Sequence, residues 1–376
     1  MGETCSALRL DADRPADAEA GYRTDLVQYL ENGGARFGFA QSLTAQGKHD
    51  EAAALVVKSC SWAIGVGIAD RQKTTIRRIN MIPIEAREGY IPVTGGRVWY
   101  QIVGAGEATP LLVLHGGPGI PHDYLEPLAD LADERPVVFY DQLGCGKSER
   151  PDDVSLWRIE RFAEEVGQVR QALGLTQVHL LGHSGGTIVA LEYLLGQPAG
   201  VVSLTQVGPV LSAPRMIANN ARLYATLPEG MFAAVQRHEA AGTMDSEEYR
   251  QAVDEFSRRY MNQVWPRPEA AQRTRQGIGG QVVYTMWGPY ELKLTGNLKD
   301  YDRTDRAHEL QLPTLFICGR YDVCTPEETT HYHRLVDGSK LVILEQSSHS
   351  PFMEEREYFM QVVGDFLRQV EAGSQG

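Results

Sequence analysis

The sequence predicts an α/β fold in which a mostly parallel sheet carries helices on both faces, a helical cap is inserted late in the chain, and a helical extension comes first. Three observations lead there. Short apolar runs recur from residue 111 onward with helical stretches between them, the pattern of strands buried on both faces. That pattern lapses between about Leu211 and Arg306 and then returns. Ahead of it, from Tyr22 to about Asn80, apolar residues recur at helical spacing.

Residues 1–20 are acidic and rich in Ala and Asp, and read as a flexible tail. Residues 21–83 form the extension. Within it FGFAQSLTAQGKHDEAAALVVKSC (37–60) reads as two helices joined at Gln46-Gly47-Lys48, because Gly closes one helix and Asp50-Glu51 opens the next. The pair resembles one unit of the tetratricopeptide kind, which needs a neighbour for stability. Packing on the main domain and a homo-oligomer joined through these helices are the two expectations.

The first part of the core, 84–210, opens with IEAREGYIPVTGGRVWYQIVGAG (84–106), a β-hairpin turning at Thr94-Gly95-Gly96. The runs LLVLHG (111–116), VVFYDQ (137–142), VHLLGHS (178–184) and VVSLTQVGP (201–209) follow as strands. Between the second and third, apolar residues at 156, 159, 162, 166, 169 and 173 step by three and four, marking an amphipathic helix laid on the sheet. Residues 211–306 form the helical cap, with segments such as EEYRQAVDEFSRRYMNQVW (247–265). An insertion there covers the carboxyl edge of the sheet, where open α/β sheets bind ligands. The second part of the core, 307–376, supplies LPTLFICGRYD (312–322) and KLVILEQSSH (340–349).

Hydrophobic residues make up 43% and charged residues 23% of the 376 positions, ordinary for a globular protein. A net charge of −13 argues against nucleic acid, which is bound by clustered Lys and Arg. The five cysteines are odd in number and form no CxxC, so neither a disulfide framework nor a zinc site is expected. The start GETCSALRLDADRPADAEA has no basic, apolar leader, and no run approaches the roughly 18 apolar residues of a membrane span. A cytoplasmic protein without membrane partners, metal or organic cofactor is the expectation.

The chemistry centres on Gly182-His183-Ser184-Gly185-Gly186, which joins a buried strand to an apolar helix. A serine on such a sharp turn is exposed as a nucleophile, and the flanking glycines let strand and helix pass closely. A glycine-rich turn that merely contains a serine has the same letters. What separates the two is whether a base and an orienting acid follow in the order Ser, Asp, His. Asp322 falls just past the strand ending CGRYD, and His349 just past the next strand, in EQSSHSP. Both belong to the same sheet edge as Ser184. His183 points elsewhere on the turn, and Asp337 follows a helix rather than a strand. HGGPG (115–119) directly follows the first core strand, where glycines expose main-chain N–H groups. Gly117 supplies one oxyanion donor and Gly185, after the nucleophile, the other.

Taken together and in order, HGGPG, YDQLGCGKSERPD (140–152), GHSGG, MWGPYELKLTGNLKDYD (286–302), GRYDVCTP and SSHSPFMEE resemble the proline iminopeptidase family of α/β hydrolases. The likeness is greatest to its tricorn-interacting aminopeptidase and amino-acid amidase branch, over roughly residues 84–372. It implies an α/β-hydrolase fold with Ser184 as nucleophile, Asp322 as acid and His349 as base. It also implies that cap carboxylates hold the substrate's free amine, one being Glu291 in GPYEL. The second stands immediately after the catalytic Asp in that branch, and here the position is Val323. With one carboxylate lost, recognition of an ammonium is weaker or the substrate differs. Glu239 in RHEAAG is a candidate to compensate, an exposed helix glutamate being its other reading. Family members often carry an aromatic residue after the serine, so Gly185 suggests a more open floor. Trp265, Tyr284, Trp287 and Tyr290 either line an apolar pocket or pack in the core.

These readings converge on cleavage of an aminoacyl amide or N-terminal peptide bond through an acyl-enzyme, with a small molecule or short peptide as substrate. An esterase, lactonase or acyltransferase acting on a neutral small molecule is the alternative, and Val323 favours it. Epoxide and haloalkane hydrolases need a carboxylate where Ser184 stands. A binding protein or scaffold working through the helical extension belongs to a different class, and the former would have no use for the triad.

Overall fold

In the computed structural model, residues 86–373 are described, with Leu43 and Lys48 ahead of them. The tail, the helix pair expected at 37–60 and any association through it lie outside the described residues. From residue 86 the chain builds one eight-stranded sheet in the order β1-β2-β4-β3-β5-β6-β7-β8. Strands β1 (Ala86–Val93) and β2 (Gly96–Val103) form the hairpin, with Val93 opposite Gly96. Gly95 takes φ +95, as a two-residue link between paired strands requires.

Strand β2 also runs antiparallel to β4 (Val137–Tyr140), whereas β3 (Leu111–Leu114), β5 (Val178–His183), β6 (Val201–Val207), β7 (Thr314–Gly319) and β8 (Lys340–Leu344) complete a parallel set with β4. The expected mostly parallel sheet is therefore present. LLVL and VVFY are buried at every position because each face is covered. Leu112, Leu114, Val138 and Tyr140 belong to one apolar cluster, with Phe162, Val166 and Val169 of helix α1 (Ile159–Ala172) and Ile188 and Leu191 of α2 (Gly185–Leu195). Leu111, Val113, Val137 and Phe139 turn the other way, as period-two side chains must.

That second face is covered partly by a segment with no element assigned from sequence. His122–Asp133 is a run of 3-10 helix with Pro127 inside it. Proline obstructs a continuous α-helix, and Leu125, Leu128 and Leu131, all buried, repeat every third residue, the period of a 3-10 turn. Phe359, Val363, Phe366 and Leu367 of the last helix complete this cluster.

Between β6 and β7 lie α3 (Ala213–Tyr224), α4 (Met231–Ala241), α5 (Glu247–Tyr260), α6 (Glu269–Gln276) and α7 (Gly280–Met286). Ser212 and Ser246 start α3 and α5 by accepting from the amides of Arg215 and Tyr249, which satisfies donors the helix itself leaves open. After β7 come α8 (Pro326–Leu335), α9 (Pro351–Glu354) and α10 (Arg356–Gly373). Thr325 caps α8 through the amide of Glu328, the Thr-x-x-Glu pattern of a helix start.

Sheet order determines where chemistry can occur. The chain leaves β3 toward β4 on one side and β5 toward β6 on the other, so the loops after β3 and β5 diverge from a common crevice. Such a switch point is where open α/β sheets place ligands. A buried ion pair braces the neighbouring loop. Arg161 bonds to Glu165 within α1, both almost wholly inaccessible, and the Glu165 carboxylate accepts from the Leu143 amide at 3.3 Å and 3.4 Å. Glu165→Ala strands a buried guanidinium and should lower the unfolding free energy by about 3–5 kcal/mol. Glu165→Gln, which keeps an acceptor for Leu143, should lose less; urea unfolding curves of the three proteins provide the check.

Candidate active site

Ser184 sits between β5 and α2 with φ 53 and ψ −125, a conformation that side chains rarely adopt and that persists only where neighbours enforce it. Its amide donates to Val207 O at 2.9 Å, and its carbonyl accepts from the Thr187 amide at 2.8 Å. The glycines around it are steric necessities. A Cβ on Gly182 would lie 2.6 Å from Gly186 O, and one on Gly186 would lie 2.1 Å from Leu114 O.

Asp322 and His349 emerge from the ends of β7 and β8 and meet: Nδ1 of the imidazole is 2.7 Å from Asp322 Oδ1. The same carboxylate oxygen accepts from the Cys324 amide at 2.7 Å. Both side chains are buried. Gly208, at φ +55, lies beneath the ring, where a Cβ would come within 2.6 Å of His349 Cε1. Nε2 of His349 is buried without a hydrogen-bond partner. It belongs to a residue that lines, with Ser184, a cavity of about 480 Å³ and a smaller one of about 210 Å³. The carbonyl of Tyr260, last residue of α5, accepts from the amides of both His349 and Val323 at 3.2 Å, so the insertion holds the loops that carry His349 and Asp322.

His183 does point elsewhere. Its Nε2 lies 2.8 Å from the His349 carbonyl and its Nδ1 2.7 Å from Tyr124 Oη. A carbonyl only accepts, so Nε2 carries the proton and Nδ1 accepts from the tyrosine. That hydroxyl in turn accepts from the Gly116 amide at 2.7 Å. Burial, and then the nearby His349, hold the His183 pKa well below the usual range, and both of its nitrogens are occupied.

The HGGPG loop is locked from below by His115. Its Nδ1 donates to Gly116 O at 2.9 Å and its Nε2 accepts from the Gln142 amide at 2.8 Å; burial lowers its pKa to about 4. Gly117 adopts φ +103, and its carbonyl accepts from Trp287 Nε1 at 2.9 Å. Among the described residues, the amides of Gly117 and Gly185 donate to no protein acceptor. The open floor expected at Gly185 is not there. A Cβ at 185 would lie 1.6 Å from Gly117 O, so main chain already fills that space and only glycine fits.

Trp287, Tyr290, Glu291 and Val323 line the larger cavity. Glu239 does not, and it is not an exposed helix glutamate either, being 6% accessible. Its Oε1 accepts from the amides of Glu291 and Leu292 at 2.6 Å and 3.2 Å, so it fixes the Glu291 turn from behind. Burial, and then the neighbouring Glu239, raise the Glu291 pKa, while a hydrogen bond from Tyr224 opposes the rise. Trp265 and Tyr284 are 68% and 65% accessible, neither core nor cavity wall. Sequence reasoning missed Met216, Asn220, Phe256, Arg267 and Arg275, which also line the cavity; helical periodicity in the insertion does not reveal which face turns toward the sheet.

Among the described residues, two groups of side chains have the composition of a metal site. Asp322, Cys324 and His349 bring ligand atoms within 4.8 Å of one another, as do His122, Asp123 and Glu126. In the first, Asp322 Oδ1 already holds the imidazole, and burial pushes the Cys324 thiol well above its ordinary pKa, which keeps it a poor ligand. In the second, His122 is bonded to Asp141, and Arg273 pairs with both Asp123 and Glu126.

Comparison with known proteins agrees with this architecture. A family described as "alpha/beta hydrolase fold" matches residues 109–356. The proline iminopeptidase of Heyndrickxia coagulans is 45% identical over 285 residues, spanning 75% of this chain and 99% of the relative. That of Saccharolobus solfataricus is 36% identical over 291 residues, 76% of this chain and 94% of the relative. Among solved structures, the proline iminopeptidase of Mycobacterium smegmatis superposes with a TM-score of 0.72 at 33% identity, covering 77% of this chain and 100% of its own. VinJ superposes with a TM-score of 0.73 at 33% identity, over 76% of this chain and 99% of its own. With the sheet order, the turn at Ser184 and relatives matched along nearly their whole length, the chain belongs to the proline iminopeptidase family of α/β hydrolases and is a hydrolase of that type.

Proposed function

We propose that the protein is a serine aminopeptidase or aminoacyl amidase, with Ser184, His349 and Asp322 as its triad. The observation that carries this reading is the unpartnered Nε2 of His349, in the cavity wall shared with Ser184, on a ring whose Nδ1 is held by Asp322. Asp322 keeps the proton on Nδ1, so Nε2 takes the Ser184 proton as the hydroxyl attacks the carbonyl. The amides of Gly117 and Gly185 receive the oxyanion, the second at the N-terminus of α2, where the helix dipole favours negative charge. His349 returns the proton to the leaving amine, and water releases the acyl group by the same steps.

Glu291 binds the substrate ammonium. Val323 removes the carboxylate expected beside Asp322, but Glu239 stands behind Glu291 and presses a second acidic group against it. A cation in the cavity relieves that crowding, which supports an amine-bearing substrate. The second reading, an esterase or lactonase for neutral molecules, is favoured by Val323 and by Met216, Ile217, Phe256 and Leu294 in the same wall. Turnover of aminoacyl-p-nitroanilides against p-nitrophenyl esters separates the two.

Ser184→Ala should reduce kcat by about a millionfold, to the limit of detection. Glu291→Gln should raise KM for free-amine substrates by about 10–100-fold, the worth of a charged hydrogen bond, and leave N-acylated substrates unaffected; equal losses on both would discard the ammonium role. Because the Glu291 pKa is raised, acid neutralises it above the ordinary glutamate range. KM for free-amine substrates should therefore climb on the acid side at an unusually high pH, and Glu291→Gln should abolish that limb.

A further inference from the structure

The aminoacyl reading leaves two cations in the site unused. Arg267 and Arg275 line both the larger and the smaller cavity, each of which also holds Ser184 and His349. Neighbouring arginines are paired: Arg273 with Asp123, Glu126 and Glu269, and Arg258 and Arg259 with Glu255. Among the described residues, Arg267 and Arg275 enter no ion pair. Arg267 donates to Ser257 Oγ at 2.9 Å and lies 5.8 Å from the Trp265 ring centre. The Arg275 guanidinium makes no hydrogen bond among the described residues. Asp254 is the acidic neighbour of Arg267 and lines only the larger cavity.

Position relative to Ser184 assigns these cations a role. Glu291, Trp287 and Val323 belong to the larger cavity alone, whereas the smaller one runs from Ser184 past Tyr124, Thr274 and Ser350. A substrate with its amine on Glu291 and its carbonyl at Ser184 leaves the smaller cavity to the group beyond the scissile bond. We propose that Arg267 and Arg275 form an anion subsite for the leaving group, so that preferred substrates carry a carboxylate there, as a free-acid dipeptide or tripeptide does and an aminoacyl amide does not. This rests on the aminopeptidase reading for the direction of the substrate. Two guanidinium forks, those of the half-buried Arg267 and the exposed Arg275, match the planar geometry of a carboxylate. Burial and then Arg275 lower the Arg267 pKa, with Asp254 opposing; a bound anion would relieve the same repulsion. In the reaction, water's hydroxyl goes to the acyl group and its hydrogen to the leaving amine, and the carboxylate remains a spectator.

The test uses matched leaving groups that differ by one carboxylate. Aminoacyl 4-nitroanilides are compared with their 3-carboxy-4-nitroanilides, and 4-nitrophenyl acetate with its 3-carboxy analogue, in the full-length enzyme and in the Arg267→Gln/Arg275→Gln double variant. The readout is the ratio of kcat/KM with and without the carboxylate, so a partial loss of folded enzyme cancels. The wild type should favour the carboxylated leaving group by about tenfold at low salt. The preference should shrink in about 0.5 M salt and vanish in the double variant. A ratio that the double substitution does not change overturns the subsite. If aminoacyl substrates are inert while esters turn over, the aminopeptidase reading falls, and the ester pair still decides the fate of the subsite.

Discussion

The site depends on main chain pressed against main chain where the loop after β3 meets the turn after β5. The Gly117 carbonyl occupies the volume a side chain at 185 would need, and the Leu114 carbonyl occupies the volume of one at 186. Glycine is the residue that permits backbones to approach so closely. The contact sets the spacing between two amides that approach from separate strands, which is what an oxyanion site requires of a rigid scaffold. It also transmits disturbance. Trp287 hydrogen-bonds to the Gly117 carbonyl, so displacement of α7 and the turn after it would be felt in the proposed oxyanion loop.

A second contact ties the insertion to the loops after β7 and β8. The Tyr260 carbonyl, at the end of α5, accepts from Val323 and His349 together, one residue adjoining the proposed acid and the other the proposed base. Glu354 adds to this by accepting from the Ser348 amide and hydroxyl and, at 2.6 Å, from the Gln263 amide. The helices over the sheet are thus part of what aims the imidazole. Because α5 also contributes Phe256 and Ser257 to the cavity wall, one helix both shapes the cavity and anchors the main chain of His349.

Much of this was legible in the sequence, for identifiable reasons. Buried parallel strands such as LLVL and VVFY are apolar throughout, and residues just past their carboxyl ends necessarily share one edge, which placed Ser184, Asp322 and His349 together. The features that escaped depend on contacts between distant segments. Nothing local to GHSGG tells that the Gly117 carbonyl fills the space at 185. A helix glutamate usually faces water, and Glu239 faces inward because two main-chain amides of a remote turn need an acceptor. The 3-10 run at His122–Asp133 has apolar residues at a spacing of three, too short a period for an α-helical stripe. Trp265 and Tyr284 are large and aromatic yet exposed, and composition carries no sign of that.

Three buried imidazoles, those of His115, His183 and His349, differ in how their ring nitrogens are bonded. Chain order and strand-end position already favoured His349 over His115 and His183, and the hydrogen bonds of the three rings agree with that choice. His115 spends Nδ1 on the Gly116 carbonyl and Nε2 on the Gln142 amide. His183 spends Nε2 on the carbonyl of His349 and Nδ1 on Tyr124. Each of these rings has its tautomer dictated at both ends and serves as a strut, His183 joining the Gly116 amide through Tyr124 to the main chain of His349. His349 is held at one end alone, by Asp322, and its other nitrogen is buried without a partner. A buried acceptor left unsatisfied is costly in a folded protein, and in the proposed mechanism this nitrogen gains its partner when it takes a proton. Of the three rings, that of His349 alone keeps a nitrogen without a protein partner, and the proposed base role rests on that difference.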